Sequence, residues 1–278
     1  MYRAERYSII REEAQREPRK IDLPPRITFA ISSAVVAVIA VSALVVALIA
    51  LPVDRDEVET LVRDYLRDHP EAVVEAIRQF QTNEEAVRRE RTEGLLSTLR
   101  PQVERDPTSP VGGNPNGNVT LVEFFDYACG FCKQVFPTVM ELIKNDGNIR
   151  YVFKEYPILT PQSVVAARAA LAAWAMDKGA YGPFHSALMS ARGDLTEDKI
   201  FRFASESGLD VEALRRRMAD TDIEDALVRN FTLAEELGIN GTPAFVIGRN
   251  LVPGAANAET LKQLVLATRE ECQKAGTC

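Results

Sequence analysis

Two of the four cysteines in this 278-residue chain form its single C-x-x-C, Cys129-Gly130-Phe131-Cys132. A dithiol at that spacing can open and close a disulfide within itself, the chemistry of thiol–disulfide exchange. The run before it, Val119 to Phe125 (VTLVEFF), is rich in β-branched and aromatic residues and predicts a strand buried on both faces. From Phe131 onward, FCKQVFPTVMELIKN has helical spacing at Phe131, Val135, Val139 and Leu142, with Pro137 predicting a kink. A strand that delivers a cysteine to a helix N-terminus is already a mechanism. The unpaired N–H groups and the positive end of the helix dipole favour thiolate over thiol. Cys129 is therefore the expected attacking sulfur. Cys132, one turn inside, is the expected resolving thiol, which must lose its proton to close the disulfide.

Glu123 lies on the predicted strand, six positions before Cys129. Burial should raise its pKa into the range of a proton acceptor, which makes it a catalytic candidate; the other reading is a strand-edge glutamate that reaches solvent. Lys154 and Glu155, in the later strand-like IRYVFKEY, carry the same ambiguity, and a lysine paired with Glu123 would alter its proton path. Near the far end, Gly241-Thr242-Pro243 precedes AFVIG, a turn followed by a strand. A cis X-Pro bond there would turn backbone groups outward to hold an extended peptide beside the sulfur. Thr242 and Pro243, with Gly130 and Phe131, are the expected peptide-binding residues. A zinc site would need a second ligand pair, whereas Cys272 and Cys278 lie at the extreme C-terminus and the histidines are His69 and His185. No metal and no cofactor beyond the dithiol itself is expected. Cys272 and Cys278 are candidates for a structural disulfide, with free thiols as the other reading. His185 reads as a helical surface or core residue.

The elements that must position this chemistry follow a long apolar segment. Residues 27–51 contain no charged side chain over 25 positions, enough helix to cross a hydrocarbon core of about 30 Å. The run is longer and starts later than a cleaved signal, so it is expected to be a transmembrane signal anchor. Arg16, Arg19, Lys20 and Arg26 precede it and Asp54, Asp56, Glu57 and Glu59 follow, which keeps a tail over 1–26 cytoplasmic and exports the rest. Outside the cytoplasm a C-x-x-C reads as a redox pair. Residues 52–99 are charged but periodic: Val58, Leu61, Val62, Tyr65 and Leu66, then after Pro70 Val73, Val74, Ile77 and Phe80, predict two amphipathic helices within 56–81. Their apolar stripes require cover from the globular domain or each other, or from a second copy; a solvated spacer is the remaining reading. Four prolines (101, 107, 110, 115) and three glycines (112, 113, 117) mark 100–118 as a linker. Residues 119–278 then form one domain of ordinary size. The net charge is −7 and the tail is basic, so the exported part is acidic and offers no basic stripe to nucleic acid.

The strand-EFF-D-Y-A-C-G-F-C-K, a long helix-patterned stretch over about 160–238, then G-T-P-A-F-V-I-G, a turn at Gly248-Arg249-Asn250 and a final helix from about Asn257 to Cys272 together resemble the DsbA-like branch of the thioredoxin fold, from about Asn118 to the C-terminus. The resemblance implies an α/β thioredoxin fold with a large helical insertion, here preceded by a transmembrane helix and a short amphipathic helical segment. It also implies Cys129 as nucleophile, Cys132 as resolving cysteine, Thr242-Pro243 as the cis-proline site and Glu123 as the buried acid. The segment VRDYLRDHPEAVVEAIRQFQ is similar to the N-terminal region of ScsC-like members, some of which oligomerise through it. The expected activity is that of an exported protein thiol:disulfide oxidoreductase. The strongly oxidising archetype has Pro-His between its cysteines, whereas Gly130-Phe131 has no polar side chain there; isomerase or reductase direction is thus favoured over net oxidase. The implied partners are exported cysteine-containing proteins and a membrane redox partner of DsbB or DsbD type, at a bacterial inner membrane with the catalytic domain periplasmic, as a possible homo-oligomer through 56–81. A redox-inactive peptide-binding, chaperone or adhesin module on the same fold is the alternative.

Overall fold

The computed structural model describes residues 35–46 and 55–276. The chain divides into two units, 1–77 and 78–278.

In the first unit residues 35–46 are helical. They belong to the apolar run read as a membrane anchor, and the rest of that run lies outside the described residues. Among the described residues no helix is long and apolar enough to cross a membrane. Helix α1 (Arg55–Asp68) has no buried residue, and its stripe of Val58, Leu61, Val62, Tyr65 and Leu66 is exposed. Pro70 opens α2 (Pro70–Glu104), whose missing N–H costs nothing in a first turn. Helix α2 runs well beyond the two short helices that the periodicity suggested, through Pro101.

The second unit is built on a five-stranded sheet in the order β1-β3-β2-β4-β5 (β1 Val111–Gly113, β2 Val119–Phe125, β3 Ile149–Glu155, β4 Ala244–Ile247, β5 Asn250–Pro253). Strands β2 and β3 are parallel and joined through α3 (Gly130–Asp146); every other pairing is antiparallel. Alternation sorts the side chains. Val119, Leu121 and Phe125 of β2 join one core with α3, the insertion helices and α9 (Ala258–Ala275), while Val122 and Phe124 join a second core with Leu96 and Val103 of α2. The insertion comprises α4 (Pro161–Met176), α5 (Lys178–Ser190), α6 (Glu197–Glu206), α7 (Val211–Arg217) and α8 (Thr221–Glu236).

The stretch expected to be a linker, 100–118, is built into this second unit. Residues up to Glu104 complete α2, and β1 pairs with β3 at the sheet edge. The Lys154 ammonium donates to the Gln102 carbonyl at 2.8 Å and the Arg150 guanidinium donates to the Glu104 carbonyl, so two cations from β3 cover the negative end of the α2 dipole. The glycines serve close packing here and not slack. A Cβ on Gly113, at φ +64, would stand 2.5 Å from the Ile149 carbonyl oxygen, and one on Gly117 would stand 2.5 Å from the Arg150 amide nitrogen. Composition alone could not separate these roles from those of a flexible tether.

Candidate redox site

All seven residues of β2 are buried, which fixes the strand end and the turn that follows. Asp126 organises that turn. Its Oδ1 accepts from the Ala128 amide at 2.7 Å, its Oδ2 accepts from the Ile158 and Leu159 amides at 2.9 Å each, and its carbonyl accepts from the Cys129 amide at 3.0 Å. One carboxylate thus joins the dithiol turn to the loop after β3. Sequence reading passed over Asp126, although a short carboxylate two residues before a turn amide is a recognisable signal.

Cys129 is the N-cap of α3, with its Sγ 3.2 Å from the Cys132 amide that donates to it. The first turn of α3 carries no acidic side chain, so a thiolate has no competing anion there. On the other side, the Thr242-Pro243 bond is cis and the Thr242 carbonyl lies 3.3 Å from Cys129 Sγ, where a thiol donates to it. Both cysteines are free and buried, Cys132 completely. The Cys132 thiol foremost, with the Thr242 side chain and the Cys132 and Phe131 amides, holds the Cys129 pKa down at about 6, against the opposing effect of burial. Burial first, then the hydrogen bond to Cys129, pushes the Cys132 thiol far above the ordinary cysteine range. The two sulfurs therefore differ in proton affinity as an attacking and a resolving thiol should.

Glu123 is 1% exposed and faces the α3 side of the sheet, so it does not reach solvent at a strand edge. The Tyr151 hydroxyl donates to its Oε2. Burial pushes the Glu123 pKa up to about 8, the Tyr151 hydrogen bond opposes that rise, and negative charge on Cys129 adds to it. Lys154 does not pair with Glu123. It pairs across the sheet from Phe124 and belongs to the opposite face, where its ammonium lies 3.5 Å from Asp106. Glu155 is buried on the same face as Glu123, and His185 is a core residue of α5. Phe131 has the helical spacing of Val135 and Val139 without their burial. It is 64% exposed, and the buried stripe of α3 runs through Cys132, Val135, Phe136, Val139 and Ile143. Pro137 lies inside α3. Cys272 is disulfide-bonded on α9, while Cys278, its expected partner, lies outside the described residues. Among the described residues no three metal-binding side chains gather.

The profile of the DSBA-like thioredoxin domain matches residues 120–266, and that of the copper resistance protein ScsC N-terminal domain matches residues 54–86. A thioredoxin-like oxidoreductase from Silicibacter pomeroyi is 43% identical, with a TM-score of 0.59 over 62% of this chain and 98% of that one. BcfH of Salmonella enterica Typhimurium is 28% identical, with a TM-score of 0.68 over 83% of this chain and 99% of that one. Among curated proteins, the Na(+)/H(+) antiporter NhaA 1 of Salinispora arenicola is 32% identical over 177 residues, which are 63% of this chain and only 26% of that protein. The chain thus spans about a quarter of the length of that curated relative, and antiport is not carried over with the match. With a dithiol at Cys129 and Cys132, a helical insertion and an ScsC-type segment ahead of it, the chain belongs to the DsbA-like family of thioredoxin-fold thiol:disulfide oxidoreductases.

Proposed function

We propose that this protein is a membrane-anchored, exported thiol:disulfide oxidoreductase in which Cys129 is the nucleophile, Cys132 the resolving thiol and Glu123 the proton acceptor. The observation that carries the reading is the placement of Cys129 at the N-cap of α3, its Sγ 3.2 Å from the Cys132 amide and 3.3 Å from the carbonyl of the cis Thr242-Pro243 bond, on the face of the sheet where Glu123 is buried. Cys129 thiolate attacks a substrate disulfide; the new S–S bond forms as the old one breaks, and the first substrate sulfur leaves as thiolate. With Cys129 held in the mixed disulfide its charge no longer raises the Glu123 pKa, and the Glu123 carboxylate takes the proton of Cys132, which attacks Cys129 Sγ and releases the second substrate sulfur as thiolate. Two electrons move from the dithiol to the substrate, and the reverse sequence oxidises a substrate dithiol. The Thr242 backbone and Pro243 hold the peptide, with Gly130 and Phe131 against it. Turnover in insulin reduction tests this: wild type should be active and Cys129→Ala inactive, whereas background turnover in both would support a redox-inactive binding module.

The membrane partner that recharges the dithiol sets the direction, and the residues between the cysteines bear on which direction is favoured. Gly130 and Phe131 give the thiolate no side-chain hydrogen bond, which favours isomerase or reductase work, with recharging by a partner of DsbD type over one of DsbB type. Equilibration against glutathione should give a potential less oxidising than about −120 mV, the value of DsbA. A value equally oxidising would favour the oxidase reading. The anchor over 27–51, with the catalytic domain periplasmic, rests on the charge asymmetry of its flanks.

The exposed stripe of α1 and early α2 supports self-association, which would set several dithiols around one substrate. Light scattering should show an oligomer for a version starting at Val53 and a monomer for one starting at Glu84. The shorter version must keep Leu96, Val103 and Asp106, which belong to the catalytic domain. Equal monomeric masses would leave the helices without this role.

A further inference from the structure

Tyr127 sits in the turn between β2 and Cys129, and its ring is fully buried. Its hydroxyl lies 3.1 Å from Glu155 Oε1 and 2.8 Å from His185 Nδ1. The three residues come from three elements: the turn, the last position of β3, and α5 of the helical insertion. None of them takes part in the exchange steps above. A phenol has one hydrogen, so it can donate to one neighbour and accept from the other but cannot donate to both. Neutral imidazole serves in either direction through its two tautomers, and burial keeps His185 neutral by driving its pKa down to about 3. A carboxylate would fit one direction; a neutral acid fits both. Burial foremost, with the Asp126 charge beside it, drives the Glu155 pKa well up, against the hydrogen bond from Tyr127.

We propose that Glu155, Tyr127 and His185 are positioning residues, linked in a chain that clamps the turn carrying Cys129 between the sheet and the helical insertion, with Glu155 acting as an uncharged hydrogen-bonding group. The inference rests on Cys129 being the nucleophile. Its sulfur is stabilised as thiolate over short spans, such as the 3.2 Å to the Cys132 amide, and hydrogen bonds to sulfur weaken once a turn shifts. The turn is held on its backbone side by Asp126, and the chain holds it on its side-chain side. The other ionisable groups facing this cluster are Glu123, Asp126 and Tyr181, so variants that leave those three in place isolate the chain itself.

The test is the pH midpoint of iodoacetamide alkylation of Cys129 in the reduced full chain, read beside the melting temperature. Wild type should titrate near 6. Tyr127→Phe, which removes only the hydroxyl, and Glu155→Leu should raise the midpoint, slowing alkylation at that pH roughly five- to tenfold. Glu155→Gln should stay within about twofold of wild type, because an amide both gives and takes hydrogen bonds. Lowered melting temperatures with an unmoved midpoint in Tyr127→Phe and Glu155→Leu would reduce the chain to a structural role and overturn the proposal. A Glu155→Gln midpoint displaced as far as that of Glu155→Leu would overturn the uncharged role. A wild-type midpoint at the ordinary value of about 8.5 would overturn the nucleophile reading and the proposal with it.

Discussion

The two faces of β2 and β3 bury opposite charges and treat them differently. Toward α3 lie Glu123 and Glu155, whose partners are the hydroxyls of Tyr151 and Tyr127. Toward α2 lie Arg150 and Lys154, whose partners are carbonyls of the last turn of α2 and, for Lys154, the Asp106 carboxylate. Burial is the first cause of the shift at Glu123 and at Lys154, and both reach about 8 from opposite directions. Each is therefore mostly protonated at neutral pH, which leaves Glu123 uncharged and Lys154 charged. An acid paired only with hydroxyls becomes a store of protons near the dithiol. A base paired with a carboxylate and a helix end becomes a fastener.

Breaking the fastener should have the largest effect. Lys154→Ala leaves Asp106 with Arg229 as its remaining charged partner, at 3.8 Å, and should cost about 3 kcal/mol in denaturant unfolding. The Cys129 alkylation midpoint should not move, because the dithiol lies across the sheet; a shift would show that the faces are coupled. Glu123→Gln strikes the other face. Closure of the mixed disulfide at neutral pH should slow by roughly 10²-fold in quenched-flow alkylation, with a smaller change in stability than Lys154→Ala.

The two groups should also tilt the pH dependence of stability in opposite senses. Glu123 binds its proton more tightly when folded, so its contribution is present below the unfolded pKa of about 4.3 and is lost as pH rises through about 8. Lys154 binds its proton less tightly when folded, so stability rises with pH from about 8 to the unfolded value of about 10.4. Unfolding curves of the oxidised protein, in which the two redox thiols do not titrate, should lose the first slope in Glu123→Gln and the second in Lys154→Met. The smallest effect is expected for Arg150→Ala, about 1 kcal/mol for the hydrogen bond to the Glu104 carbonyl.

The strand, dithiol, helix order and the Thr-Pro turn were legible because each is written in contiguous residues. The burial of Glu123 was legible in part, since an acid inside VTLVEFF has neighbours that leave it little water. Its separation from Lys154 required the parallel register of β2 and β3, which pairs Lys154 with Phe124 and no local pattern states. Phe131 keeps the helical spacing of Val135 and Val139 but, as the second residue of α3, lies beyond the core that covers them, a difference in burial that spacing does not state. The stretch 100–118 misled because proline and glycine suit an edge strand and a close backbone approach as well as a tether. His185 could not be connected to the dithiol turn from sequence, being 58 positions from Tyr127 and on another element.

Phe131 stands 64% exposed between the two cysteines, and this has a consequence for the choice of client. A partner that covered this ring would gain up to about 2 kcal/mol, roughly thirtyfold in occupancy, whereas glutathione, with only a few methylenes, would collect little of it. A native protein has hidden the residues that would match the ring. A chain still immature presents them beside its cysteines, so under the proposed function the exposed ring between the two cysteines would favour partners by how unfinished they are.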